Sequence, residues 1–451
     1  MKVAKVVPIY KSGDNKLYTN YRPVSLLPQF SKVLEKLFNK RLMSFINKNN
    51  ILYGGQYGFR NNFSTSLAIL DLIEEITTNI DNHCTTVGVF IDLKKAFDTI
   101  DHNILLQKLE IYGVRGTAAN WLSSYLTGRK QFVQINDINS DYLTIKCGIP
   151  QGSIIGPSLF ILYINDLHNV SHILNFILFA DDTNIFLSGK NLDEVCKIMT
   201  SELKKLDTWF KVNKLSLNVS KTNYMIFGKS KRTISDSHIY INNVKLEQVT
   251  DTKFLGVFID DKLNWHKQIQ HVQTKIAKSV SIMYRVKYLL DEAALLTLYS
   301  SLVLPYLSYC VEIWGNTYVT NLKSIIILQK RAVRIIGKAE FKSHTSPLFY
   351  KFRLLKMVDI VKLNTCTVMY KAYYGLLNSR LAKLFIRSNS STRQGNKFYV
   401  QFKRTRLKSF SISCCGVKLW NDLDNISTNL KSITLFKSHL KRSFVEAYNS
   451  V

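Results

Sequence analysis

Three aspartates carry the chemistry that this sequence could perform. Asp92 closes the apolar run Phe90-Ile91-Asp92-Leu93, and Asp181-Asp182 separate two apolar stretches in Phe179-Ala180-Asp181-Asp182. Adding a nucleotide to a strand is an in-line displacement at phosphorus. Two metal ions about 3.5–4 Å apart can clamp the attacking and leaving oxygens. Carboxylate oxygens suit Mg²⁺, with Mn²⁺ as the alternative. One acid at a strand end and a pair at an adjacent hairpin tip would converge on such a volume. Each motif alone has a plainer explanation. Asp92 could cap a helix starting at Lys94, and Asp181-Asp182 could form a polar turn. Two acids at one tip between apolar strands repel unless a cation compensates, which weighs against the turn.

Such residues need a sheet and flanking helices to hold them. Residues 66–80 have apolar positions at helical spacing, and 87–93 form an apolar run of strand length. Residues 94–109 read as a helix with Asp92 near its start. Residues 129–135 and 142–147 alternate as a hairpin across the polar loop 136–140. Residues 153–167 read as a helix with Pro157 in its first turn. Strands are expected at 175–180, 183–187, 222–227, 239–241 and 253–259, and an amphipathic helix at 192–212. A hairpin flanked by helices fits an α+β, split-βαβ arrangement. Beyond Leu263 the pattern is nearly all helical, at 266–290, 292–304, 322–336 and 346–374. Residues 388–396 are polar and loop-like, and 398–451 are basic with interspersed Phe402, Phe410 and Trp420.

Lys and Arg number 61 against 32 Asp and Glu, a net charge of +29. Residues 261–451 hold 31 basic and 9 acidic side chains, so +22 of the excess lies there. Such a field points to a polyanion, and nucleic acid is the usual one. The seven cysteines show no zinc spacing and read as reduced thiols of an intracellular protein. The longest apolar runs, at 154–164 and 173–180, are too short to span a bilayer, and no signal peptide is evident. No membrane partner is therefore expected, and the chain is placed in nucleus and cytoplasm. The sequence opens directly on a strand-like stretch, so Met1 need not be the true start.

Seven blocks in order resemble the reverse transcriptases of non-LTR, LINE-type retrotransposons, especially the jockey-like group. They are Pro8-Ile9-Tyr10-Lys11 with Asn20-Tyr21-Arg22-Pro23-Val24-Ser25-Leu26; Gln56-Tyr57-Gly58-Phe59-Arg60 with Ser64-Thr65; and Phe90-Ile91-Asp92-Leu93-Lys94-Lys95-Ala96-Phe97-Asp98. Then follow Gly148-Ile149-Pro150-Gln151-Gly152-Ser153, Phe179-Ala180-Asp181-Asp182, Asn218 with Lys221-Thr222, and Phe254-Leu255-Gly256. The resemblance implies an RNA-directed DNA polymerase of right-hand fold. Residues 1–260 would form fingers and palm, 261–340 a helical thumb, and 341–451 a basic nucleic-acid-binding region. Its partners would be template RNA, a DNA primer or target DNA, and deoxynucleoside triphosphates. An endonuclease would act in cis, from a part not seen here, or in trans, and would expose the primer in target-primed copying.

The resemblance also implies roles. Asp92 and Asp181 would bind both metal ions, the Leu93 carbonyl would touch the nucleotide-side ion, and Asp182 would complete the cluster. Phe97, five residues after Asp92, corresponds to a steric gate against the ribose 2′-OH; a core aromatic is the plain alternative. Arg60 would grip the incoming triphosphate. Gln151 and Gly152 would lie beside the nascent base pair and template. Lys221 would meet the leaving pyrophosphate, unless it is an ordinary surface lysine. Phe254, Leu255 and Gly256 would grip the primer. Gln329, Lys330, Arg331 and Arg334 would offer donors to an RNA–DNA duplex, with a solvated helix face the competitor. In the basic run Lys403-Arg404-Thr405-Arg406-Leu407-Lys408, Lys403, Arg404 and Arg406 above all would hold template RNA or serve in an import signal. Two other readings stay open: a group II intron-type reverse transcriptase with a maturase role, and an inactive nucleic-acid-binding remnant.

Overall fold

The computed structural model describes residues 2–228, 238–388 and 397–449; of the polar stretch at 388–396, all but Ser388 lies outside them. The chain forms two compact units. One comprises Met1–Phe63, Val87–Tyr224 and Lys231–Gln248; the other comprises Ser64–Thr86, Met225–Ser230 and Val249–Val451.

In the first unit, strand Val3–Tyr10 pairs antiparallel with Tyr21–Leu26 and parallel with Lys130–Ile135. Lys130–Ile135 turns back on Ile138–Asn139 through Asn136 and Asp137, both left-handed at φ 46° and 65°. That twist suits a two-residue hairpin, and Asn and Asp tolerate it better than most residues. A second sheet runs in the order Glu247–Gln248, Asn223–Phe227, Thr85–Ile91, Asp182–Gly189, Asn175–Phe179. Its middle strand is buried on both faces through Val87, Val89, Phe90 and Ile91, which is why it reads as a continuous apolar run.

The helix expected at 94–109 does not form as one piece. Leu93–Lys94 is a short strand paired with Ser216–Leu217. Lys95 then adopts a left-handed φ of 48°, and Ala96–Asp98 makes a 3₁₀ turn. The α-helix begins only at His102, capped by Asp101, whose carboxylate accepts from the Asn103 and Ile104 N–H groups at 2.9 and 3.0 Å. Capping thus falls to Asp101, and Asp92 caps no helix. Residues 153–167 divide similarly, into helix Gly156–Tyr163, with Pro157 in its first turn, and the 3₁₀ segment Asn165–Val170. The amphipathic helix Leu192–Val212 has the bounds its periodicity indicates.

The second unit holds helix Thr65–Asp81, capped by Ser64, and then helices His266–Val286, Glu292–Leu302 and Val319–Ile336. The single strand expected at 253–259 is a hairpin, Asp251–Phe254 with Val257–Asp260, turning through left-handed Leu255 and Gly256. The helix expected at 346–374 is broken into Ser346–Lys351 and Met357–Tyr373, with Arg353 at φ 51° between them.

This division differs from a boundary at 260. Helix Thr65–Asp81 belongs with the C-terminal residues because its acids engage them: Asp71 pairs with Arg380 at 2.8 Å and Glu74 with Lys408 at 2.8 Å. Residues 341–451 contribute packed aromatics of their own. Trp420 is fully buried, stacked on Tyr373 at 5.3 Å and tilted against Phe436 at 5.9 Å. All seven cysteines are free. Among the described residues no helix is long and apolar enough to cross a membrane.

Candidate active site

The first unit places Asp92 at the end of strand Thr85–Ile91 and Asp181-Asp182 at the tip joining Asn175–Phe179 to Asp182–Gly189. Phe179 and Asp182 are paired across the tip, leaving Ala180 and Asp181 as the turn, with Ala180 left-handed at φ 56°. A left-handed alanine costs roughly 1–3 kcal/mol and persists only where its surroundings enforce it. They do so through Gln56-Tyr57-Gly58. The Gln56 side-chain oxygen accepts from Ala180 N at 3.2 Å and Gly58 N at 2.8 Å. Tyr57 N donates to Leu178 O at 2.7 Å, and Leu178 N to Gly55 O at 2.9 Å. A Cβ on Gly58 would lie 2.5 Å from Ala180 N. Gly58→Ala should therefore destabilise the chain by about 1–3 kcal/mol. A thermal midpoint equal to the parent's would show that the tip does not depend on this contact.

Asp92 is held from the other side. Asn218 N donates to its carbonyl at 2.9 Å and Asn218 Nδ2 to its carboxylate at 2.7 Å. Asp92 N donates to Thr222 Oγ1 at 3.3 Å, and that hydroxyl donates to the Asn218 carbonyl at 3.0 Å. Half-buried Asp92 is thus fixed in direction, while Asp181 and Asp182 are exposed.

The three acids share one electrostatic field. Asp182 keeps part of its surface in water, but desolvation of the rest, then the Asp181 and Asp92 charges, push it up to about 6. Among the described residues, no three His, Cys, Asp or Glu side chains already stand at metal-ligand spacing. The donor chemistry nevertheless fits a divalent cation: hard oxygens, mutual repulsion to relieve, and two groups open to solvent.

Phe97 is half-buried and stacked on Phe160 at 4.4 Å. The 148–152 loop packs beside it: Ile149 N donates to Phe97 O at 2.9 Å and Gln151 Nε2 to Asp98 Oδ1 at 2.9 Å. Gly152, at φ 126°, presses so closely on Ser25 that a Cβ would meet its carbonyl at 2.5 Å. Arg60 is half-buried. Its Nη1 donates to Tyr53 O at 2.8 Å and Gln56 O at 3.1 Å, and its guanidinium lies over Phe63 at 4.1 Å. Lys221 is exposed. Leu93 lies in the short strand that Ser216–Leu217 pins.

In the second unit Phe254 is buried, and the Leu255 carbonyl accepts from Tyr309 Oη at 2.6 Å. Gly256 is exposed at the turn. Gln329 departs from expectation. It is buried, donating to Tyr299 Oη at 3.0 Å and Leu355 O at 2.9 Å and accepting from Met357 N at 2.8 Å, so it knits helices and offers nucleic acid nothing. Arg334 is half-buried with Nε on Ser343 O at 2.9 Å, whereas Lys330 and Arg331 are exposed. The 403–408 cluster is partly structural: Arg404 N and Thr405 N bond Asp81, and Lys408 is buried on Glu74. Lys403 is half-buried, and Arg406 is exposed near Tyr318 Oη at 3.5 Å.

Gln56 and Asn218 are the residues whose work the sequence did not disclose. Both stand in the ordered blocks, but nothing local says which aspartate or turn each one bonds.

A profile of the family described as reverse transcriptase (RNA-dependent DNA polymerase) matches residues 9–290. Over 400 residues the chain is 28% identical to the probable RNA-directed DNA polymerase from transposon X-element of Drosophila melanogaster, covering 87% of this chain and 44% of that protein. It is 29% identical over 355 residues to the one from transposon BS of the same species, with 74% and 38% covered. Against the RNA-directed DNA polymerase from mobile element jockey the figures are 25% over 376 residues, 79% and 40%. The chain spans about two fifths of the length of these relatives. Among solved structures, apo telomerase from Candida tropicalis is similar with a TM-score of 0.46 at 12% identity, over 80% of this chain and 62% of that one.

Proposed function

The chain belongs to the reverse transcriptase family and has its α+β right-hand polymerase fold, and from that premise we propose that it copies the RNA of a mobile element into DNA. The observation that carries this reading is the acidic cluster, with Asp92 at the end of one strand and Asp181-Asp182 at the tip of the hairpin in the same sheet.

Asp92, Asp181, Asp182 and the Leu93 carbonyl would hold Mg²⁺ or Mn²⁺. When bound, such ions activate a 3′ hydroxyl and stabilise charge on the leaving pyrophosphate. The protein's own work is positional. Asn218 aims the Asp92 carboxylate, and Gln56 fixes the turn that presents Asp181. Arg60, oriented by two carbonyls, would reach triphosphate oxygens, and exposed Lys221 would meet pyrophosphate. Gln151 and Gly152 would lie beside template and nascent pair. Phe254, Leu255 and Gly256 would steady the primer, while Lys330, Arg331, Arg334, Lys403, Arg404 and Arg406 would meet nucleic-acid phosphates. The substrates are template RNA, primer or target DNA, and deoxynucleoside triphosphates. In target-primed copying an endonuclease supplies the primer end.

Backed by Phe160, the Phe97 ring has little room to yield to a ribose hydroxyl. Phe97→Val should raise ribonucleotide incorporation relative to deoxyribonucleotide by about tenfold to a hundredfold. Unchanged sugar selectivity would remove Phe97 from this role.

The folded chain holds the Asp182 proton more tightly than an unfolded aspartate, whose ordinary value is 3.8. In chelator, stability should accordingly fall as pH rises from about 4 to about 6 and then level off. Cation binding displaces that proton, so Mn²⁺ affinity should weaken as pH drops through about 6. Titrating Mn²⁺ at several pH values checks this, and a flat profile would exclude Asp182 from the ligands.

The decisive assay is primer extension on poly(rA) with oligo(dT), dTTP and Mg²⁺. Product is the expected result. Binding of the primer–template without extension would instead mark a nucleic-acid-binding remnant.

A further inference from the structure

Helix Gln29–Lys48 of the first unit is committed on one face only. Ser31, Glu35, Leu42 and Ile46 are buried there. The Glu35 carboxylate accepts from Ser31 Oγ at 3.2 Å and from Ile154 N at 2.7 Å, and Phe38 stacks on Trp121 at 4.1 Å. The opposite face carries Phe30, Val33, Leu34 and Leu37, which are 80%, 56%, 45% and 58% exposed. These stand at i, i+3, i+4 and i+7, the stripe that a helix ordinarily buries. Together they expose a few hundred Å² of apolar surface, comparable to the largest patch on a typical monomer, and such patches are often functional.

The charges around the stripe indicate what covers it. Lys36, Lys40 and Arg41 are exposed beside it, and the helix's one acid, Glu35, is turned inward. We propose that this face docks an amphipathic helix of another polypeptide, one whose apolar stripe is edged by Asp and Glu. Helix-on-helix docking uses this i, i+3, i+4, i+7 anchor pattern, and complementary charge sets its partner. A second copy would bring another positive rim onto this one, in a chain already at +29. Nucleic acid would use the lysines but leave four apolar side chains wet.

The probe is a synthetic helical peptide with leucines at i, i+3, i+4 and i+7 and flanking glutamates, compared with the same peptide flanked by lysines. Fluorescence anisotropy with the whole chain should show the acidic peptide binding at least about tenfold more tightly. The double variant Phe30→Ser/Leu37→Ser should lose about tenfold or more of that affinity with its thermal midpoint unchanged, since both side chains are exposed. If the double variant unfolds early, Val33→Ser/Leu34→Ser makes the same comparison. Equal binding of the two peptides, or full binding by a folded variant, overturns the proposal. So does a wild-type dimer in sedimentation that the variant abolishes, because the face would then belong to a second copy.

Discussion

Asp181→Asn should cut primer extension by about a thousandfold, the upper end of what losing one charge-stabilising group costs, while the chain stays folded. Asparagine keeps the shape of the side chain and removes only its charge. Asp181 is exposed at the hairpin tip, and the turn is held by the Gln56 bond to Ala180 N and by the Phe179–Asp182 pairing. None of these needs the Asp181 carboxylate. Removing that charge also removes one of the causes that raise Asp182, whose pKa should fall back from about 6 toward its ordinary value. The variant therefore has a signature besides lost activity: its stability in chelator should depend less on pH between about 4 and 6. Extension at the parent rate would sink the metal assignment. Lost extension with an unchanged pH profile would mean that the three acids do not share a field.

Lys408→Met should destabilise the chain by about 3–5 kcal/mol, the cost of stranding one member of a buried ion pair. The Lys408 and Glu74 side chains are 6% and 1% exposed, and their charged atoms meet at 2.8 Å. Glu74 also accepts from Ser413 N at 2.9 Å and Ser413 Oγ at 2.7 Å, and Lys408 donates to Thr78 Oγ1 at 2.8 Å. Methionine fills the lysine stem's space but leaves the carboxylate without its cation. Glu74→Gln combined with Lys408→Met should recover much of the loss, because the remaining hydrogen bonds suit a neutral amide. Urea denaturation of the two variants and the parent measures this. A single variant with the parent's midpoint would show that the pair contributes nothing. The same experiment bears on the basic run at 403–408, since a lysine this deeply paired cannot also contact RNA or an import receptor.

The sequence by itself singled out the candidate site: three aspartates, one at the end of an apolar strand and two between a pair of them, within seven ordered blocks. It also determined helix Leu192–Val212 and, to within a residue at each end, helix Thr65–Asp81. These are legible because apolar periodicity acts within a few residues. Tertiary structure decided what those signals could not reach. The helix expected from Lys94 gave way because Ser216–Leu217 pairs with Leu93–Lys94, and a left-handed Lys95 then breaks the helical path. That break leaves Asp92 to be aimed by Asn218, 126 residues away. Gln329 looked like a donor on an amphipathic helix, yet which face of that helix is covered depends on Tyr299 and Met357. Lys408 looked like part of a basic surface run, and only a partner 334 residues earlier turned it inward. Propensity acts along the chain, whereas burial and hydrogen-bond pairing act between elements brought together only by folding, so residue types marked the candidate site while packing chose the side chains that hold it.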